Sequence, residues 1–142
     1  MNEFIFSDIE VGMSASFKKK VTPEMENVFR EISGDQNPLH QDDEFAKEVS
    51  NGKYSSHVCF GMLTASLYST LAGVYIPGKY SLIHSFDELS FIKPVFIGDD
   101  LCVGGVVSDM DAGLHLIKVK AQIRNQNKEL VSRAKMKILV LK

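Results

Sequence analysis

Asp35 and His40 carry two side-chain types suited to moving protons near neutral pH, and only Gln36-Asn37-Pro38-Leu39 separates them. A carboxylate and an imidazole that converge on one point can hold a water between them and shuttle its protons, which is the least equipment for general acid–base chemistry. The residues around them favour convergence. Gly34 tolerates left-handed dihedrals and suits the end of a preceding helix, while Asn37, followed by proline, is pushed out of the helical region. Asp35 and His40 therefore fall on the two limbs of one stiffened bend. Each also has an ordinary explanation: Asp and Asn bond their own backbone in turns, and an isolated His is commonly a surface or core residue. What singles out the stretch is the joint spacing of Gly34, Asp35, Asn37, Pro38 and His40.

The elements that must position this bend can be read on either side of it. Ser14 to Val21 reads as a strand. Its Lys18-Lys19-Lys20 is either a solvated edge or an attraction for a phosphate-bearing ligand. Thr22-Pro23-Glu24 supplies a capping hydroxyl, a first-turn proline and an acid at the positive end of a helix dipole. Met25, Val28, Phe29 and Ile32 follow at helical spacing and predict a core-facing stripe ending at Ser33-Gly34. Asp42-Asp43-Glu44 opens a short helix that stops near Ser50-Asn51-Gly52, its acids serving as dipole partners. Lys53 to Ser56 is a loop, and the apolar run from His57 to Ile76 predicts one long buried helix. Beyond it the texture alternates, predicting strands over Leu82–Phe91, Asp100–Asp109, Leu114–Arg124 and Glu129–Leu141, separated by Gly-, Pro- and Asn-rich turns. One apolar helix followed by antiparallel strands predicts an α+β domain, with the sheet wrapped around a long central helix and no internal boundary.

Composition narrows the function classes. With 142 residues, of which 44% are hydrophobic, the chain can bury a substantial core. A net charge of −2 offers no basic footprint for nucleic acid and no polybasic membrane anchor. Thr64, Ser66, Ser69 and Thr70 interrupt the apolar run, which argues for a helix buried in protein rather than in a bilayer. Cys59 and Cys102 show no metal-ligand spacing and predict reduced, buried thiols. Met1-Asn2-Glu3-Phe4 has neither a basic nor an apolar leader, so a cytoplasmic location is expected.

The segment from Phe29 to Ala46 resembles the hydratase-2 signature of the MaoC-like, (R)-specific enoyl-CoA hydratases and dehydratases. Phe29, Ile32, Ser33, Gly34, Asp35, Asn37, Pro38, Leu39, His40 and Ala46 fill its defined positions. The likeness continues through Gly61-Met62-Leu63, Ser66-Leu67-Tyr68-Ser69 and Phe91-Ile92-Lys93-Pro94-Val95-Phe96-Ile97-Gly98-Asp99. It implies the hot dog fold, a homodimer with its active site near the subunit boundary, and an acyl thioester substrate carried on coenzyme A or an acyl carrier protein. It implies further that Asp35 and His40 hold one water and add it syn across the double bond, without cofactor or metal. The Gly61 backbone N–H is the implied oxyanion partner, at a helix start where unpaired amides suit a developing negative charge; close helix packing is the alternative role for this glycine. Ser69 matches an active-site serine of the family, or else back-bonds within its own helix. Asn37 orients the bend or supports the water.

The chain departs from the family at Cys59-Phe60-Gly61-Met62, where His-Gly-Met is usual. Phe60 cannot donate a hydrogen bond, and His57 is expected to point elsewhere. The departure bears on the tuning of the site and on the acyl group accepted. Thioesterase chemistry on this fold would need a carboxylate on the buried helix, yet no Asp or Glu lies between Glu48 and Asp87. A non-catalytic thioester-binding module would have no need of both Asp35 and His40.

Overall fold

The computed structural model describes all 142 residues, Met1–Lys142. Strand β1 (Ser14–Lys20) leads into helix α1 (Pro23–Ser33), α2 (Asp43–Val49), α3 (Gly61–Thr70) and then strands β2 (Ser81–Phe91), β3 (Asp100–Asp111), β4 (Leu116–Arg124) and β5 (Leu130–Val140). The strands form one antiparallel sheet in the order β1-β3-β4-β5-β2. Alternation along them turns Leu101, Val103 and Val107, Val119, Ala121 and Ile123, and Ala134, Met136 and Ile138 into the core, and Val131, beside a register shift, is buried as well. These residues close on Leu63, Ala65, Leu67, Tyr68, Leu71 and Ala72 of the central helix and its extension. The α+β arrangement expected from the sequence, a sheet around a buried helix, is the one observed.

The central helix is shorter than its apolar run. Residues His57–Phe60 lie in a loop, the α-helix starts at Gly61, and Leu71–Tyr75 continue it as a π-helical turn. Apolar character alone could not place that start, because what holds His57–Phe60 out of the helix is pairing with distant backbone: Val58 N–H donates to Leu39 O (3.0 Å) and Cys59 N–H to Val95 O (2.8 Å). Inside the core, the Tyr68 hydroxyl donates to Ser132 Oγ (2.9 Å), which donates to Ser90 O (2.9 Å), tying α3 to β5 and β2. Burial pushes the Tyr68 hydroxyl up to about 12, against the Ser132 hydrogen bond, which lowers it. It acts here as a neutral donor.

Helix α1 begins and ends as its residues dictate. The Thr22 hydroxyl accepts from Met25 N–H (3.3 Å), Pro23 is the first helical residue, and Gly34 takes the left-handed conformation (φ 72°) that stops the helix. Its stripe departs from expectation. Met25 and Phe29 pack on the core, whereas Val28 (47% exposed) and Ile32 (78%) face outward. With Leu63, Ser66 and Lys18-Lys19-Lys20, they border an open groove of about 840 Å³. The buried residue of α1 is instead Glu26. Cys102, expected to be buried, is exposed because its neighbours Leu101 and Val103 point inward and strand parity sends it outward. No helix is long and apolar enough to cross a membrane.

Candidate active site

The bend between α1 and α2 is built from local hydrogen bonds. Asp35 Oδ1 accepts from Asn37 N–H (2.9 Å) and Asn37 Oδ1 from Leu39 N–H (3.0 Å), so each acid or amide side chain fixes the backbone two residues on. A single 3₁₀ turn, Pro38–His40, follows. Asn37 thus serves as the cap of that turn. These bonds fix the backbone between the two candidate proton-transfer groups, with Asp35 Oδ1 turned to Asn37 N–H and His40 Nδ1 to Val58 O.

His40 is half-buried and oriented from three sides. Its Nδ1 lies 2.7 Å from Val58 O. A carbonyl can only accept, so Nδ1 carries the proton and Nε2 is the ring's free nitrogen. Its ring packs against Phe60 at 4.4 Å between centroids, and Arg30 Nη2 donates to the His40 carbonyl (3.0 Å). Phe60 itself is buried, wedged between His40 and Phe29 (5.0 Å between centroids) with the Arg30 guanidinium over its face. Where the family has a polar His, this chain has an apolar backing for the catalytic candidate.

His40 lines a cavity of about 340 Å³ with Gly61, Cys59, Thr64, Phe91 and Val131 among its walls. Gly61 is the first residue of α3, and its preceding residue Phe60 offers no side-chain cap, so the first amides of the helix lack an acceptor. A Cβ at Gly61 would stand 3.3 Å from the Phe91 ring. Both roles weighed from the sequence, amide donor and close packing, therefore stay compatible with its surroundings.

The structure brings His40 and Gly61 together and leaves the other candidates apart. Asp35, Asn37 and Ser69 are exposed and lie outside the cavity wall, and no hydrogen bond joins Asp35 to His40. Ser69 makes no side-chain bond; the helix serine that back-bonds is Ser66, to Leu63 O (2.6 Å). Lys93 lines the cavity and pairs with Glu129, whereas Lys79 pairs with Glu3 (3.2 Å) elsewhere. Cys59 is buried, and burial first, then the Glu26 charge, pushes its thiol up to about 12. It is therefore no nucleophile, in line with its expected apolar role. Sequence reasoning missed Val58 O as the partner of His40, because a backbone carbonyl leaves no trace in residue type.

With this geometry in place, the relatives can be compared. Residues 7–129 match the model of the MaoC like domain. An (R)-specific enoyl-CoA hydratase of Aeromonas caviae is 40% identical over 93 residues, 66% of this chain and 66% of that protein. A 3-hydroxybutyryl-CoA dehydratase of Methylorubrum extorquens is 36% identical over 94 residues, 66% of this chain and 57% of that protein. The chain thus spans somewhat less than two thirds of the length of these relatives. Among solved structures, an (R)-hydratase from Aeromonas caviae involved in PHA biosynthesis superposes with a TM-score of 0.85 at 30% identity, covering 93% of this chain and 97% of that one. The sheet around α3 is the hot dog fold, and the chain belongs to the MaoC-like dehydratase family.

Proposed function

We propose that this protein is an (R)-specific enoyl-CoA hydratase, reversibly a 3-hydroxyacyl-CoA dehydratase, that adds water syn across a trans-2-enoyl thioester. The observation that carries the reading is His40. With Nδ1 engaged by Val58 O, its free Nε2 is the ring's proton acceptor, in a residue that lines the same cavity as Gly61. Hydration needs a base for water, a proton for the α-carbon and a donor for the enolate-like thioester oxygen. His40 and Asp35 share the first two tasks through one water. As its oxygen bonds the β-carbon, one proton passes to the pair and one is delivered to the α-carbon, so the pair ends as it began. The Gly61 N–H receives the charge on the thioester oxygen. Asn37 keeps the bend, and Ser69 faces the acyl group or Asp35. The named activities of the Aeromonas and Methylorubrum relatives support this chemistry.

Asp35, Ser69 and the outward apolar residues Val28, Ile32 and Met62 are exposed in the single chain. A second copy covering Asp35 would give it the enclosure that proton transfer requires, which is the reason to place the enzyme in a homodimer. No cofactor or metal takes part.

The test is the loss of enoyl-thioester absorbance with short and medium acyl chains, on coenzyme A and on a carrier protein, with chiral analysis of the product. The expected result is an (R)-3-hydroxyacyl thioester with no release of free thiol. Thiol release without hydration would replace the reading with thioester hydrolysis; binding without turnover of any chain would replace it with a binding module. Gly61→Ala separates the two roles of that residue. The Phe91 ring is half exposed and can yield to the new methyl, so the melting temperature is expected to hold. If the amide serves the oxyanion, kcat/KM falls by about tenfold or more, because the methyl crowds the approach to the amide; unchanged kinetics would leave Gly61 a packing residue.

A further inference from the structure

Next to the site stands a cluster that the proposed mechanism does not use. His57 places Nε2 2.8 Å from Glu26 Oε2 and Nδ1 2.6 Å from Asp43 Oδ1, and its backbone N–H donates to the same Asp43 oxygen (2.8 Å). Glu26 comes from α1 and is only 2% exposed; Asp43 comes from the first turn of α2. One imidazole thereby ties two helices to the segment His57–Phe60. That segment is the one on which the site depends. Its Val58 carbonyl binds His40 Nδ1, its Phe60 ring backs His40, and it ends at the Gly61 amide.

We propose that His57, bridging Glu26 and Asp43, is a positioning residue for the reaction: it holds His57–Phe60 in the register that orients the His40 ring and aims the Gly61 amide. The inference rests on the hydratase reading for its kinetic consequence, though not for its structural one. An interior carboxylate is costly to leave without a partner. Glu26 Oε1 has no hydrogen-bond partner, so His57 is the main compensation for this buried charge. The segment is therefore held by a strong local demand rather than by loop contacts alone. Both ring nitrogens face carboxylates, so the bridge is complete only when both carry protons.

Its pH dependence has a definite sign. Burial alone would lower His57, but the Asp43 and Glu26 carboxylates outweigh it and hold the imidazole above its usual 6.5. The His57 backbone N–H, then its ring, hold Asp43 below the usual carboxylate range. Of the other ionisable groups on the packed elements, Glu24 and Glu31 of α1 and Glu44, Lys47 and Glu48 of α2 are exposed, Arg30 of α1 is engaged at the His40 carbonyl, and the Cys59 thiol is buried. A raised imidazole contributes below its unfolded value and is lost as pH rises through the folded one, while a depressed carboxylate contributes above its unfolded value. The bridge thus holds between the carboxylate range and the raised His57 value, and opens on the alkaline side.

The experiment compares wild type with His57→Gly and Glu26→Gln, with and without added imidazole or 1-methylimidazole. It reads kcat, KM, the alkaline limb of the kcat profile and the His40 Nδ1–H nuclear magnetic resonance signal. His57→Gly is expected to lower kcat by about ten- to a hundredfold with KM changed less, as a displaced reacting group does. The His40 Nδ1–H signal should be lost or broadened. Imidazole, with two nitrogens able to carry protons, should restore both, and 1-methylimidazole should restore little. Glu26→Gln removes one carboxylate without changing shape and should move the alkaline limb to lower pH; it also carries the test if His57→Gly does not fold. A folded variant with kcat within about threefold of wild type, or an unchanged His40 signal despite lost activity, overturns the proposal. Wild type that turns over no enoyl thioester removes the hydratase reading alone, and the resonance still decides the positioning role.

Discussion

His40→Ala is expected to lower kcat/KM by about a hundred- to ten-thousandfold, the usual contribution of a proton-transfer group. The side chain has two separable duties. Its free nitrogen handles the proton, while its Nδ1–H satisfies Val58 O and its ring supports Phe60. Alanine removes both, so some loss of thermal stability should accompany the kinetic loss. Asp35→Asn is the cleaner partner. The amide oxygen of asparagine can still accept from Asn37 N–H, so the bend should survive and the melting temperature should hold. A comparable fall in kcat/KM then belongs to the lost carboxylate. Because one water is shared, the double variant should lose little more than the worse single one, as groups acting as a unit are not additive. Measured by enoyl-thioester absorbance beside thermal unfolding, wild-type rates in both single variants would sink the mechanism.

What the sequence disclosed about this site depended on the range of the physics involved. The Thr22 cap, the Gly34 stop and the two side-chain-to-backbone bonds of Asp35 and Asn37 are local, and local chemistry is written in adjacent residues. Strand alternation gave the inward residues of β3, β4 and β5 for the same reason, and parity could have placed Cys102 outside. The start of α3 is hidden because Val58 and Cys59 are apolar enough for a helix, while the carbonyls that hold them out of it belong to Leu39 and Val95. The stripe on α1 was read correctly as apolar but not as half uncovered. A pattern of Val28 and Ile32 says that something packs there, not that this chain supplies it.

Glu26 shows the same limit from the other side. In the sequence it is one more acid in the first turn of a helix, where a dipole role suffices. Only the fold shows it buried and paired with a His thirty-one positions away. His57, from its place in the sequence, is expected only to point away from the site. The pairing was invisible because no spacing rule links α1 to a loop; the two meet through packing.

Gly105→Ala is expected to destabilise and Gly104→Ala not to, although they are neighbours in β3. The two positions point to opposite faces of the sheet. A Cβ at Gly105 would stand 2.8 Å from Leu71 Cδ2 and 3.0 Å from Val119 Cγ1. Leu71 is 0% exposed and Val119 1%, so neither can move aside, and the π-helical turn that Leu71 opens would have to lift off the sheet. Such overpacking typically costs about 1–3 kcal/mol, which for a domain of this size is a fall of roughly 2–12 °C in melting temperature. A Cβ at Gly104 meets only Ser16 Cβ at 3.6 Å and Ala15 O at 3.7 Å, ordinary contact distances. Neither glycine has positive φ. Gly104→Ala should therefore be neutral or stabilise by up to about 1 kcal/mol, since alanine leaves the unfolded chain fewer conformations to lose. Thermal unfolding of the two variants side by side decides it. Equal melting temperatures would mean that the central helix does not rest on β3 through the space that the missing side chain of Gly105 leaves.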